Sequence, residues 1–348
     1  MTQARIKKLD EARGHPRHGG DLADICGFAE SEQNDLADPW LDLSTGIAPI
    51  SYPVPRMPGS AWSQLPSRGE LADLLEAARA CYGAPSADHV VAGPGSEALI
   101  QRLPEQFAPR TVAIVGPTYL SHGEAWQRAG HRLRQISLLS EARPDEIAVV
   151  VNPNNPDGRW TSRQALEFAC DKHGRAGGWL VVDEAFGDVE PGRSMADACR
   201  SQNAIVLRSL GKFFGLAGLR LGFAIAPLAM AKRLREALGD WPVSGPAIAT
   251  GRACLNDEAW QHQQRVQLRK AVTRLDKVFT GTELSIAGGT ILFRLVESPF
   301  APQFFRHLLS KRIYVRRFGY NRHWLRIGIP APGRDFDRLK EALESFEP

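Results

Sequence analysis

Lys212 lies in Ser209-Leu-Gly-Lys-Phe-Phe-Gly-Leu-Ala-Gly-Leu-Arg220-Leu-Gly222, with a serine three residues before it and an arginine eight after. A lysine amine can attack a carbonyl and hold it covalently as an imine. Hydroxyl and guanidinium groups donate hydrogen bonds to oxyanions, the guanidinium in a bidentate fork. The plain alternative is a glycine-rich loop with a surface lysine, because such loops are common.

Two further motifs bear on that choice. Ala148-Val-Val-Val-Asn-Pro-Asn-Asn155-Pro-Asp-Gly158 reads as an apolar strand followed by an Asn-Pro-Asn-Asn-Pro turn, and Trp179-Leu-Val-Val-Asp183-Glu-Ala-Phe186 as an apolar strand ending in a carboxylate. Taken singly, the asparagines and the aspartate could be turn caps or a helix start. Val90-Val-Ala-Gly-Pro-Gly95-Ser96-Glu97-Ala-Leu-Ile reads as a strand, a tight glycine turn and the first turn of a helix. A helix N-terminus of that kind binds phosphate through its free N–H groups and its dipole. Gly116-Pro-Thr-Tyr119-Leu-Ser-His122 follows another short apolar strand, Thr111 to Val115.

The elements that must position these residues follow from periodicity. Short apolar runs at Val90 to Ala92, Thr111 to Val115, Ile147 to Val151, Leu180 to Val182, Ala204 to Arg208 and Gly222 to Ala226 alternate with helix-like segments. That alternation predicts an α/β fold with a mostly parallel wound sheet. The motifs then fall at strand ends, where open α/β sheets bind ligands. Pro227 to Ala237 reads as a basic amphipathic helix and Trp260 to Phe279 as a long one, while Thr290 to Pro348 alternates strand and helix. The expected division is an N-terminal segment 1–45 joining a smaller α+β domain, a large domain 46–235 and the small C-terminal domain 236–348. Ser51 to Pro66, rich in Pro and Ser, is expected to form an ordered loop.

Composition narrows the function classes. The 348-residue chain has room for two cores, and its formal net charge of +4 with scattered basic residues leaves no footprint for nucleic acid. Cys26, Cys81, Cys170, Cys199 and Cys254 are widely spaced and form no CxxC, which reads as reduced thiols and no metal site. Met1 to Gly14 is charged, with no apolar core for a signal peptide, and no stretch reaches membrane-spanning length. The expectation is a cytoplasmic enzyme with no membrane partner.

Taken in order, the motifs resemble those of fold type I pyridoxal 5'-phosphate enzymes in the class I and II aminotransferase superfamily. The resemblance implies roles for each. Lys212 holds the cofactor aldehyde as a Schiff base, and Asp183 pairs with the pyridinium nitrogen, whose positive charge makes the ring an electron sink. Asn155 donates to the phenolic O3', and Tyr119 stacks on the ring, with His122 behind Asp183. Ser209, Arg220 and the turn Gly95, Ser96 and Glu97 hold the cofactor phosphate, the last two through backbone N–H groups. The implied catalytic set is Lys212, Asp183 and Tyr119.

His18-Gly-Gly-Asp21, Leu41-Asp-Leu-Ser44-Thr-Gly46-Ile-Ala-Pro49 and the Gly116 to His122 segment look like one branch of that superfamily, the L-threonine-O-3-phosphate decarboxylases of cobalamin biosynthesis. The similarity runs from about His18 to the end. It implies decarboxylation of threonine phosphate to (R)-1-amino-2-propanol O-2-phosphate by a homodimer, with a phosphorylated amino acid as its small-molecule partner. Arg326 in Trp324-Leu-Arg-Ile-Gly matches the carboxylate-binding arginine. Arg316 matches a second substrate arginine, although either it or Arg317 could face inward. His18, Ser44, Gly46 and Asn155 complete the implied substrate shell.

Phe186 stands where aminotransferases carry a tyrosine that donates to O3'. Leu65, in Leu65-Pro66-Ser67, replaces a tyrosine that reaches the cofactor phosphate across a dimer. A histidinol-phosphate-type aminotransferase would share every cofactor residue, and spacing alone does not separate the two outcomes. A non-catalytic ligand-binding module of the same fold is a third reading, disfavoured by the retained lysine.

Overall fold

The computed structural model describes residues 19–20, 22, 39–200 and 203–347. Its contacts separate Ser51–Gln264 from a second unit made of the described residues of Met1–Ile50 together with Arg265–Pro348. The second boundary falls later than the expected 235/236. Helix α7 (Gly245–Asn256) belongs with the central unit because it packs along α2 (Arg68–Tyr82). A Cβ on Gly251 would stand 2.9 Å from Leu74 Cδ1, and Arg252 pairs with Asp73 at 2.8 Å.

The first described strand, β1 (Leu41–Asp42), belongs to the terminal unit. The central unit holds seven strands: β2 (Val90–Gly93), β3 (Thr111–Val115), β4 (Arg132–Ile136), β5 (Ile147–Val151), β6 (Trp179–Asp183), β7 (Ala204–Ser209) and β8 (Gly222–Ile225). Their order is β2-β8-β7-β6-β5-β3-β4, and only β8 runs against its neighbours. The mostly parallel sheet is therefore as expected. Strands β5, β7 and β8 are buried at every residue. Continuous Val, Ile and Ala runs suit a sheet covered on both faces, where no polar side can alternate. Each fully buried Val or Ile contributes about 1.5–3 kcal/mol relative to exposure.

Besides α2 and α7, this unit has α1 (Ser60–Ser63), α3 (Ser96–Arg102), α4 (Leu120–Arg128), α5 (Arg163–Arg175) and α6 (Leu228–Leu238). Helix α2 starts with a reciprocal cap: Ser67 Oγ accepts from Glu70 N at 3.1 Å, and Ser67 N donates to Glu70 Oε2 at 2.8 Å. It stops at Gly83, whose φ of +70° a side chain would resist. Ser67 is thus occupied as a cap, two residues beyond the exposed Leu65.

Helix α8 (Glu258–Phe279) contains the boundary between the units. The terminal unit has a four-stranded antiparallel sheet, formed by β9 (Ser285–Thr290), β10 (Phe293–Glu297), β12 (Arg316–Phe318) and β13 (Asn321–Gly328), in the order β12-β13-β10-β9. Strand β11 (Ile313–Tyr314) pairs in parallel with β1. Helices α9 (Ala301–Ser310) and α10 (Arg334–Glu344) close the core with Phe304, Leu308, Phe336, Leu339 and Leu343. No helix among the described residues is long and apolar enough to cross a membrane.

Candidate functional site

In the central unit the expected residues collect into two linked clusters. The first is a chain of polar contacts at the ends of β3 and β6. His122 Nε2 stands 2.8 Å from Asp183 Oδ2, with both side chains buried. Asp183 Oδ1 accepts from Ala185 N at 2.9 Å. The carboxylate accepts from both sides, so the imidazole must present its N–H on Nε2. The Tyr119 ring meets His122 edge-on at 6.3 Å, and its hydroxyl donates to Glu97 Oε2 at 3.0 Å. Burial, above all, pushes the Tyr119 phenol up to about 12, so it stays protonated at any working pH.

The Asn-Pro-Asn-Asn turn is tied to this cluster by backbone and side chain. Asn152 N donates to Asp183 O at 2.8 Å. Asn154 Nδ2 donates to Pro117 O at 3.0 Å, while its Oδ1 accepts from Thr118 at 2.7 Å. Asn155 sits half-buried in the same turn, before a cis bond to Pro156.

The second cluster is a glycine cradle. Ser209 ends β7 directly opposite Gly222 of β8. A Cβ on Gly222 would overlap Ser96 N and lie 2.8 Å from Gly95 C. One on Gly95 would come within 2.7 Å of Arg220 Nη2. Glycine at both positions therefore lets the Gly95-Ser96 turn, Ser209 and the Arg220 guanidinium share one small volume. The turn has φ +85° at Gly95, and Arg220 itself is left-handed, φ 52° and ψ 55°. That conformation costs a residue with a Cβ about 1–2 kcal/mol. Such strain persists only where the surroundings over-determine it, and it concentrates at ligand-binding sites.

Lys212 is half-buried in the loop after β7, its Nζ 5.8 Å from the centre of the Phe186 ring. Phe186 is buried and brings no hydroxyl to this position. An amine, a buried carboxylate and a cradle of one guanidinium, one hydroxyl and helix N–H groups are the donor set that pyridoxal phosphate requires. The residues fit the cofactor.

In the terminal unit Arg326 and Arg316 face one another across β13 and β12. Arg326 is buried, donates through Nη2 to Ser44 O at 2.8 Å, and places Cζ 5.2 Å from the Phe293 ring centre. Arg317, on the opposite face of β12 by strand alternation, lies 4.0 Å over Phe305. Arg316 is therefore the member of the pair that shares a face with Arg326.

Ser44 Oγ donates to Asp42 Oδ1 at 2.6 Å and accepts from Gly20 N at 2.9 Å, so its hydroxyl is occupied and its carbonyl is what touches Arg326. The same segment packs on Gly328, where a Cβ would stand 2.7 Å from Thr45 O; Gly46 is buried beside it. His18 lies outside the described residues.

The motifs leave some residues unmarked. Arg208, Glu184 and Asp188 form a buried ion cluster behind Asp183 and Ser209. A lone charge inside the apolar run Ala204 to Ser209 was the available signal.

The family model for aminotransferase class I and II matches residues 60–346. Threonine-phosphate decarboxylase of Pseudomonas aeruginosa is 40% identical over 334 residues, covering 95% of this chain and 98% of the relative. The enzyme of the same name from a Sinorhizobium species is 38% identical with the same coverage. Among solved structures, L-threonine-O-3-phosphate decarboxylase from Porphyromonas gingivalis superposes with a TM-score of 0.72 at 17% identity, over 88% of this chain and 99% of that one. At that identity the likeness concerns the fold, whereas the sequence matches reach further: the chain belongs to the class I and II aminotransferase family, on the branch of the threonine-phosphate decarboxylases.

Proposed function

We propose that this protein removes the carboxyl group of L-threonine O-3-phosphate, giving (R)-1-amino-2-propanol O-2-phosphate, with pyridoxal 5'-phosphate as cofactor. The observation that carries the substrate class is the Arg316–Arg326 pair on one strand face, two guanidinium forks whose donors suit a ligand with two anionic groups. The named relatives support the same reading.

Asp183, backed by His122, would hold the ring nitrogen of the cofactor cationic by direct charge interaction. Ser209, Arg220 and the N–H groups of the Gly95 turn would take its phosphate, Asn155 its phenolic oxygen, and Tyr119 would stack on its ring. When bound, the cofactor supplies an electron sink for the pair left as carbon dioxide departs. Lys212 Nζ would hold the cofactor aldehyde and would carry the proton delivered to Cα of the substrate. Arg326 takes the substrate carboxylate, its fork aimed by Ser44 O, and Arg316 takes the second anionic group. Phe186, with its ring centre 5.8 Å from the lysine amine, offers no competing proton donor there.

The assembly proposed is a homodimer in the cytoplasm. Trp62, Leu65 and Trp241 are 72%, 68% and 58% exposed, and α1 packs onto α7 through Ala61 and Gly245, which makes an apolar face suited to a second copy.

The test is product analysis on the purified, cofactor-loaded enzyme. Incubation with threonine phosphate is expected to release carbon dioxide and aminopropanol phosphate in equal amounts. Glutamate formed from histidinol phosphate and 2-oxoglutarate, without carbon dioxide from threonine phosphate, would overturn the assignment.

A further inference from the structure

We propose that Arg208 is a positioning residue that locks segment 183–188, and through it the Asp183 carboxylate and the Phe186 ring, against the back of the site. The proposal rests on the cofactor reading above and concerns residues outside the cofactor motifs. Arg208 lies on β7 immediately before Ser209, so alternation sends its side chain to the other face of the sheet. There it is 1% exposed and ion-paired at both ends of its fork. Nη1 donates to Glu184 Oε2 at 2.8 Å, and Nη2 donates to Asp188 Oδ1. Glu184 is held further by Ser194 Oγ at 2.6 Å and Met195 N at 2.8 Å. The guanidinium carbon sits 4.3 Å above the ring of Tyr82 in α2.

One cation thus hooks two points of a single turn. The turn between the hooks carries the residues that matter: Asp183 immediately before Glu184, and Phe186 midway between Glu184 and Asp188. Gly187 makes the geometry possible, since a Cβ there would stand 2.6 Å from Arg208 Nη1. A buried arginine with two carboxylates is weak grounds for a stability role, because desolvation consumes much of the attraction. Fixing one arrangement of a turn is the use such a network serves, here through the two Arg208–carboxylate contacts and the Ser194 and Met195 contacts to Glu184, while the buried Arg208 Nε makes no hydrogen bond. Burial as the leading cause holds the Glu184 carboxyl above its usual range, which marks how fully this cluster is removed from water.

The experiment compares wild type with Arg208→Met and Glu184→Gln, using far-UV circular dichroism to establish folding. Amide hydrogen exchange is followed in the cofactor-free protein, so the readout does not depend on the reaction being assigned correctly. Expected for Arg208→Met is exchange about tenfold faster across 183–188, the equivalent of one lost charge-assisted hydrogen bond, with Ile147–Val151 unchanged. In the loaded enzyme, kcat for threonine phosphate is expected to fall about tenfold at unchanged KM. Glu184→Gln keeps the shape and is expected to loosen the same segment to a smaller degree; it decides the matter where Arg208→Met does not fold. Unchanged exchange at 183–188 in the folded variant, or an equal rise at 147–151, would overturn the positioning role. A kcat loss without an exchange change would do the same. Absence of turnover in wild type with the exchange pattern intact would instead count against the substrate assignment alone.

Discussion

Gly222→Ala subjects the proposed phosphate cradle to the sharpest test. The added carbon would overlap Ser96 N and stand 2.8 Å from Gly95 C and 2.9 Å from Arg208 O. All three are backbone atoms, so no side chain can swing aside. Reaching ordinary contact distances requires a relative shift of about 1 Å between β8 and the Gly95 turn. Overpacking of that kind costs about 1–3 kcal/mol of stability. The same shift carries Ser96 N away from the Arg220 guanidinium that lies against Gly95. Losing one hydrogen bond to a charged phosphate is worth about 1.5–3 kcal/mol, a loss of about 10- to 150-fold in cofactor affinity. The assay is quenching of intrinsic fluorescence by pyridoxal phosphate, with denaturant unfolding of the cofactor-free protein run in parallel. Gly218→Ala is the control, since a Cβ there meets nothing within 4 Å. Wild-type cofactor affinity in a Gly222→Ala protein that unfolds with reduced stability would refute the cradle: the clash would be real and the phosphate would lie elsewhere.

Four other outcomes follow from the same geometry. Asp183→Asn removes the charge that His122 supports, and kcat is expected to fall by about 10- to 1000-fold, matching a shift of one to three pK units at the paired nitrogen; turnover within twofold of wild type would sink that role. Arg326→Lys is expected to raise KM for threonine phosphate by about tenfold or more because the ammonium cannot form a bidentate pair, whereas Arg317→Leu, on the opposite face of β12 over Phe305, leaves KM unchanged; steady-state kinetics with both reversed would reassign the arginines. Burial holds the His173 imidazole below its usual value, so the unfolded chain takes up the proton first; the contribution to stability is full above about pH 6.5 and is lost as the pH falls through the folded value. Denaturant midpoints between pH 7.5 and 5 are accordingly expected to drop more steeply in wild type than in His173→Gln, and equal slopes would exclude His173 as a source. Trp62→Asp combined with Leu65→Asp is expected to convert the proposed homodimer to monomer in sedimentation, and a profile unaltered from wild type would count against this face as the dimer contact.

The central sheet is legible because its strands are continuous apolar runs with turn residues at their ends. Thr111 to Val115 and Ile147 to Val151 match the observed strands residue for residue. Strand β4 escapes because Arg132-Leu-Arg-Gln-Ile136 lies at the sheet edge, where only Ile136 is buried and exposed charges break the apolar signal. The polar motifs single out Asp183, Lys212 and Arg220 for their proposed roles because that chemistry is tied to residue type. Choosing Arg316 over Arg317 needs strand register, which a pair of adjacent arginines cannot reveal. The cradle is less visible still: Gly222 and Ser96 are far apart in sequence, and their contact exists only once β8 has paired beside β2 and β7.

The left-handed backbone of Arg220 restricts what mutational libraries can recover at that codon. Glycine would relax the φ angle while discarding the cation, and lysine would keep a charge while retaining the backbone strain. Valine, isoleucine and threonine would be penalised by their branching and supply no charge in return. Position 220 should therefore tolerate almost no substitution under selection for cofactor capture, yet accept glycine readily when the selection is for folding alone.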